Sequence, residues 1–215
     1  MYEHIVFDLD GTLVDSLLDL TAAVNHVRRV LGLAALPAQT VCGYVGEGAR
    51  LLVQRALGAQ HQHRVDEGLQ LFMEFYGQHL LDHTRPYPGI VDMLSALSAR
   101  PRALSVLSNK PAAMSRAIVD GLGLSVYFRA VLGGDSLPAR KPDPGGLAYL
   151  QALTQTTADR MLVVGDSLID VSTARAAGCA FCGVAWGFGA AALRAADVAL
   201  IIAHPLDLLA VVGLA

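Results

Sequence analysis

Apolar positions fall into two regimes along the chain. Leu17, Leu20, Val24, Val27 and Leu31 recur at steps of three or four, the spacing that lays one face of a helix against a core. Ser16 and Asp19 stand where a capping box would open that helix, and Gly32 where it would close. A second segment follows Pro37, a third helix runs through Leu51, Leu52, Arg55 and Leu57, and a fourth from about His61 to His83 puts Val65, Leu69, Phe72, Tyr76 and Leu80 on one side. No stretch between 14 and 84 makes a convincing strand, so this part of the chain is predicted to be a helical insert.

After the linker TRPYPG (Thr84 to Gly89) the pattern changes. Short apolar runs at Ala103 to Leu107, Ala130 to Leu132, Met161 to Val164, Phe181 to Ala185 and Val198 to Ile202 alternate with helical stretches that start near Gly89, Pro111, Pro144, Leu168 and Ala190. Strand and crossover helix in regular alternation predict an α/β fold built on a doubly wound parallel sheet. Ile5 to Phe7 is an apolar run of the same kind and must join that sheet, which divides the chain into a core of residues 1–13 and 85–215 and an insert of 14–84.

Composition narrows the field. With 215 residues and 53% hydrophobic side chains, the chain can bury a large core. A net charge of -3 and a pI near 6.1 give no general attraction to nucleic acid or to an anionic membrane, and no basic patch is visible. No apolar stretch approaches the ~18 residues of a membrane span. Three cysteines do not make a disulfide framework, and no basic-then-apolar leader precedes Asp8, so a cytoplasmic location is expected. Cys179 and Cys182 have C-x-x-C spacing but no second pair, and are expected to be buried thiols. His61 and His63 have no partner set and are expected at the surface. Of sixteen basic residues only Lys110 and Lys141 are lysines, which sets both apart.

The chemistry collects at strand ends. The first run stops on Asp8 and Asp10, then Gly11 and Thr12. Two carboxylates one residue apart repel unless a cation, a proton or fixed donors hold them, so a metal site or an acid/base site is expected there, the alternative being loop carboxylates in water. The second sheet strand ends in Ser108, Asn109 and Lys110, Lys141 follows the third, and the fourth ends in Asp166 with Asp170 one helical turn on. In a doubly wound sheet these ends share one edge. Asp8 and Asp166 offer hard oxygen ligands suited to Mg²⁺, while Lys141 and the Ser108 hydroxyl offer a cation and a donor to phosphate oxygens. A carboxylate can attack phosphorus directly, and a neighbouring carboxyl can protonate the leaving oxygen and later take a proton from water.

The segments FDLDGTLVDS, LSNK, RKPDP and GDSLID, in that order, resemble the four motifs of the haloacid dehalogenase-like phosphatases. The insert directly after the first motif resembles that family's all-helical cap domain. By this resemblance Asp8 is the nucleophile and Asp10 the general acid and base; Ser108 and Lys141 bind the phosphoryl group; Asp8, Asp166 and the Asp10 carbonyl hold Mg²⁺; and Asp170 supports the site, while Gly11 and Asn109 are further candidates for a phosphate contact. The motif-two position is often Thr in the family, and Ser108 keeps the hydroxyl. GYVGEGA, RPYPGI and GDSLPARKPDP are similar to segments of the phosphoglycolate phosphatases, which implies a small phosphomonoester substrate, 2-phosphoglycolate first, with a sugar-phosphate phosphatase or a β-phosphoglucomutase-type phosphomutase as the alternative. Arg50 is the cation nearest the Gly46–Gly48 helix start and is expected to meet a substrate carboxylate.

Several neighbouring readings lose ground. A dehalogenase needs neither an acid at Asp10 nor a metal. The family's phosphonate cleavage uses a cap lysine, and none lies between 14 and 84. Phospho-accepting receivers are shorter and lack the insert. Lys110 is either a phosphate neighbour or simply exposed, Asn109 either donates to phosphate or shapes the turn, and Trp186 is either buried or at an interface. Monomer and homodimer both stay open.

Overall fold

The computed structural model describes residues 2–214. The chain opens with β1 (His4–Phe7) and a two-residue strand β2 (Val14–Asp15), then runs through four helices: α1 (Leu17–Val30), α2 (Ala38–Cys42), α3 (Ala49–Leu57) and α4 (Val65–Gln78). The two-residue strand β3 (Arg85–Pro86) closes that segment by pairing antiparallel with β2, Val14 opposite Pro86 and Asp15 opposite Arg85. Beyond it come α5 (Ile90–Ser98), β4 (Ala103–Leu107), α6 (Ala112–Gly121), β5 (Ala130–Leu132), α7 (Gly145–Thr154), β6 (Met161–Gly165), α8 (Leu168–Ala176), β7 (Ala180–Val184), α9 (Ala190–Ala195), β8 (Ile201–Ile202) and α10 (Asp207–Val211).

The main sheet has the order β5-β4-β1-β6-β7-β8 with every pairing parallel. β1 is its hub: Phe7 lies opposite Val106 on one side and Val164 on the other. The chain builds outward from β1 through β4 to β5, then returns to β1's other edge for β6, which makes the carboxyl end of β1 a topological switch point, the place where such sheets bind ligands. Alternation along β1 explains its full burial, since Ile5 and Phe7 join the core on one face and Val6 the core on the other.

Four sequence expectations change. Val14–Asp15 is a strand inside the predicted helical range, because it pairs with the chain's return at β3. The last strand is only Ile201–Ile202, an edge strand that meets β7 at two residue pairs, and the greasy tail after it forms α10. α4 starts at Val65, after a 3-10 turn over Ala59–Arg64. No capping box forms at Ser16, whose hydroxyl donates instead to Asp10 Oδ1 at 2.5 Å. Asp19 is buried and accepts from His83 N, Thr84 N and Thr84 Oγ1 at 2.7–3.0 Å, fastening the exit of the helical segment to its entrance. Local capping lost to tertiary partners in both cases.

Candidate active site

Four strand ends deliver the polar groups. Asp8 follows β1 and its N–H donates to Val164 O of β6 at 2.9 Å, so the side chain is set by the sheet itself. Asp166 follows β6, and Gly189 N donates to its Oδ2 at 2.9 Å. Gly11 has a left-handed φ of 82°, and a Cβ there would run into the Asp166 carboxylate, so the turn after Asp10 accepts only glycine on both counts. Gly187 and Gly189 crowd Asp166 from the other side.

Lys141 reaches between two of the acids, with Nζ 2.9 Å from Asp8 Oδ1 and 2.6 Å from Asp170 Oδ1. Asp170 sits in a capping box at the start of α8, where Ser167 Oγ donates to its Oδ2 at 2.6 Å. Burial alone would favour the neutral amine, yet the Asp170 and Asp8 charges raise the Lys141 pKa above that of an ordinary lysine. Asp8, Asp166 and Asp170 bring carboxylate oxygens within 4.8 Å of one another, all three buried. The cost of that gathering appears in their acidity. Burial, opposed by Lys141, pushes Asp8 up to about 6, and burial together with the Asp8 and Asp170 charges pushes Asp166 up to about 8. Three buried carboxylates against one ammonium leave an excess of negative charge that a hard divalent cation fits, so the donor set suits Mg²⁺.

The other aspartate has different company. Lys110 Nζ lies 2.7 and 2.9 Å from the two oxygens of Asp10 and 2.7 Å from the hydroxyl of Tyr76 on α4. Burial works against the ammonium, but Asp10 and Tyr76 outweigh it and the Lys110 pKa is raised. Of the two sequence readings of Lys110, exposure is excluded: it is buried. Asn109 Nδ2 donates to Gly46 O at 3.0 Å and Lys141 O at 2.9 Å, while its buried Oδ1 has no protein partner. Asn109 therefore shapes two loops at once.

A cleft of about 40 Å³ opens between these groups. Asp8, Asp10, Ser108, Asn109 and Lys110 form its polar floor, and Leu20, Val45, Leu52, Phe72 and Met114 its apolar walls. Gly48 and Ala49 bring the start of α3 to it, a helix end with no side-chain cap. Arg50 is not brought to the cleft. Its guanidinium pairs with Asp66 of α4 at 2.8 Å on the exposed side of α3, because the next residue along a helix turns about 100° away from Ala49. Trp186 is half-buried, donating from Nε1 to Thr12 O at 3.1 Å. Cys182 is buried and Cys179 half-buried, both free thiols.

Sequence reasoning underweighted Lys110 and missed Tyr76, Ser16 and Asp19. The scarcity of lysine was the usable signal for the first. Tyr76 was visible only as one more apolar position on α4.

A parallel sheet with flanking helices, a helical insert after its first strand and acids at its switch point define a class, and comparison with known proteins gives that class its name. Residues 5–184 match the model of the haloacid dehalogenase-like hydrolase family, to which this chain belongs. Its relatives include the phosphoglycolate phosphatase of Rhodospirillum rubrum, 42% identical over 196 residues covering 87% of this chain and 81% of that protein. The phosphoglycolate phosphatase of Neisseria gonorrhoeae is 39% identical over 200 residues, 91% of this chain and 85% of that protein. Among solved structures, that of a predicted phosphoglycolate phosphatase from Haemophilus somnus superposes with a TM-score of 0.91 at 31% identity, covering 98% of each chain. Among the described residues no helix is long and apolar enough to cross a membrane.

Proposed function

We propose that the protein is a Mg²⁺-dependent phosphomonoesterase that acts on 2-phosphoglycolate through an aspartyl phosphate on Asp8. One observation carries this reading: Asp8, Asp166 and Asp170 bring their carboxylates together at the switch point of the sheet, with a single ammonium, Lys141, paired to two of them. Asp8 and Asp166, with the main-chain carbonyl of Asp10, would hold Mg²⁺, whose charge offsets both the carboxylates and the oxygens of a transferring phosphoryl group. An Asp8 oxygen attacks phosphorus while Asp10 gives a proton to the departing ester oxygen; the ester P–O bond breaks and the aspartyl phosphate forms. Water then attacks that phosphorus and gives its proton to Asp10, and the bond to Asp8 breaks, releasing phosphate and restoring both aspartates.

The remaining groups divide the work. Lys141, the Ser108 hydroxyl and the backbone at Asn109 and Gly11 take the non-bridging oxygens. Asp170 keeps Lys141 in place. Residues 14–84 act as a cap whose Leu20, Val45, Leu52 and Phe72 keep bulk water from the phosphoenzyme. A small cleft favours a small organic group, which agrees with the names of the relatives. The free thiols suit a reducing cytoplasm.

Asp8→Asn should lower phosphate release by at least ~10³-fold with the thermal midpoint nearly unchanged; near-full activity in that variant overturns the mechanism. For the substrate, a kinetic panel of 2-phosphoglycolate against triose, hexose and amino-sugar phosphates should give the highest kcat/KM for the first. Faster turnover of a hexose phosphate, or its isomerisation, would replace the substrate part and leave the core chemistry standing.

A further inference from the structure

The chain spends each of its two lysines on one aspartate of the opening pair. Lys141 serves the nucleophile from within the sheet. Lys110 serves Asp10, and its setting is unlike that of a phosphate ligand. Its ammonium is shared between the two oxygens of the Asp10 carboxylate and donates separately to the Tyr76 hydroxyl. The ammonium also stands 4.8 Å from the centroid of the Tyr76 ring. Tyr76 is 1% exposed, and Lys110 is the hydrogen-bond partner of its hydroxyl. The Asp10 carboxylate takes its remaining bond from Ser16, between β2 and α1.

Asp10 is thus fixed from three places at once: the end of β4 through Lys110, the insert's entry through Ser16, and α4 through Tyr76 behind Lys110. The last of these is the contact that crosses from the helical segment to the sheet's edge, so it exists only while α4 lies against the end of β4. We propose that Lys110 is a positioning residue that aims Asp10 at the leaving oxygen, and that Tyr76 makes this aim depend on closure of the insert. The proposal rests on the phosphoenzyme reading above, since it assigns Lys110 to the protonation half of that chemistry and to no other part. A compact ammonium suits the task better than a planar guanidinium, which would present a flat fork to one carboxylate and leave the hydroxyl out of line.

The test uses two small phosphate esters with different leaving groups. 2-Phosphoglycolate expels an alkoxide and needs a proton; acetyl phosphate expels acetate and does not. Leaving-group release is followed in a single turnover with enzyme in excess, so that only the first half-reaction is read. Lys110→Met should slow glycolate release by ~100-fold, as loss of a positioned general acid does, and acetate release by less than ~3-fold. Tyr76→Phe, which keeps the ring and deletes one bond to a charged group, should slow glycolate release ~10-fold and leave acetate release unchanged. Lys110→Arg should fall between wild type and Lys110→Met. Equal slowing of both esters, or slowing of neither, overturns the proposal. Should Lys110→Met fail to fold, Tyr76→Phe decides by the same ratio. Failure of the phosphoenzyme reading is a separate result, because it appears as release of either leaving group by Asp8→Asn. If the substrate panel selects another alkyl phosphate, that ester takes the place of 2-phosphoglycolate.

Discussion

Asp8 and Asp10 leave the same strand two residues apart, yet one half of the site is overcharged and the other is balanced. Around Asp8 three buried carboxylates share one ammonium, every group coming from the sheet's edge or the helix behind it. Around Asp10 one carboxylate faces one ammonium, and the contacts cross to the helical insert. The contrast separates two needs. In the proposed mechanism a cation must be drawn to the first half, which the excess of negative charge favours. An acid must be steered in the second, and the pairing of Asp10 with Lys110, itself held by Tyr76 of α4, is the contact that would steer it.

The comparison can be broken from either side. Short of removing the nucleophile itself, the largest effect is expected from Asp166→Asn, which removes one charge from the overcharged half. Turnover at limiting Mg²⁺ should fall ~10²-fold, while the metal-free variant at pH 8 should melt above the metal-free wild type, because a buried like charge is gone. Phosphate release and scanning calorimetry check the two signs. Next comes the pH dependence of the metal-free protein. Asp166 titrates near 8 when folded and near 3.8 when unfolded, so between those values the folded state binds more protons and stability falls as pH rises. Saturating Mg²⁺ should therefore raise the thermal midpoint by about 5–10 °C at pH 8 and by clearly less at pH 6, with EDTA reversing it. A uniform rise would mean that the ion sits elsewhere.

On the insert side, Asp19→Ala removes the acceptor of three donors at the clasp and should cost about 2–3 kcal/mol in denaturant unfolding. The smallest effect belongs to Arg50→Ala, an exposed pair, expected to change stability by less than ~0.5 kcal/mol and kcat/KM by less than ~2-fold. A tenfold rise in KM would instead bring a substrate contact to the outer side of α3.

The two halves differed in legibility as well. β4 and β5 match their predicted bounds because short, β-rich apolar runs between turn residues leave little choice. Asp8, Ser108, Lys141 and Asp166 were visible as polar groups placed after such runs, and the parallel topology then forces them to one edge. The balanced half was harder. Tyr76 obeys the helical period of α4, and nothing in that period says that its hydroxyl meets an ammonium from β4's end. Ser16 and Asp19 suggested a local cap, whereas Asp10 and the returning chain at His83 and Thr84 claimed them. Nothing local marks His4, yet burial between the Thr154 and Ser105 hydroxyls pulls it down to about 4. Except for Ser16, whose partner Asp10 is six residues back across a turn, the partner lies far along the chain, beyond the reach of periodicity.

The clasp of Asp19 on His83 and Thr84 also bears on the order in which the chain can acquire its structure. β1 must pair with β4, Ile5 opposite Leu104, across the whole helical segment. With that segment folded and its ends fastened, the intervening path shrinks to roughly 35 residues, which lowers the closure entropy by about 1 kcal/mol. A nascent chain would then gain by completing α1 to α4 first, since the central strand pairing becomes a nearly local event once they are in place.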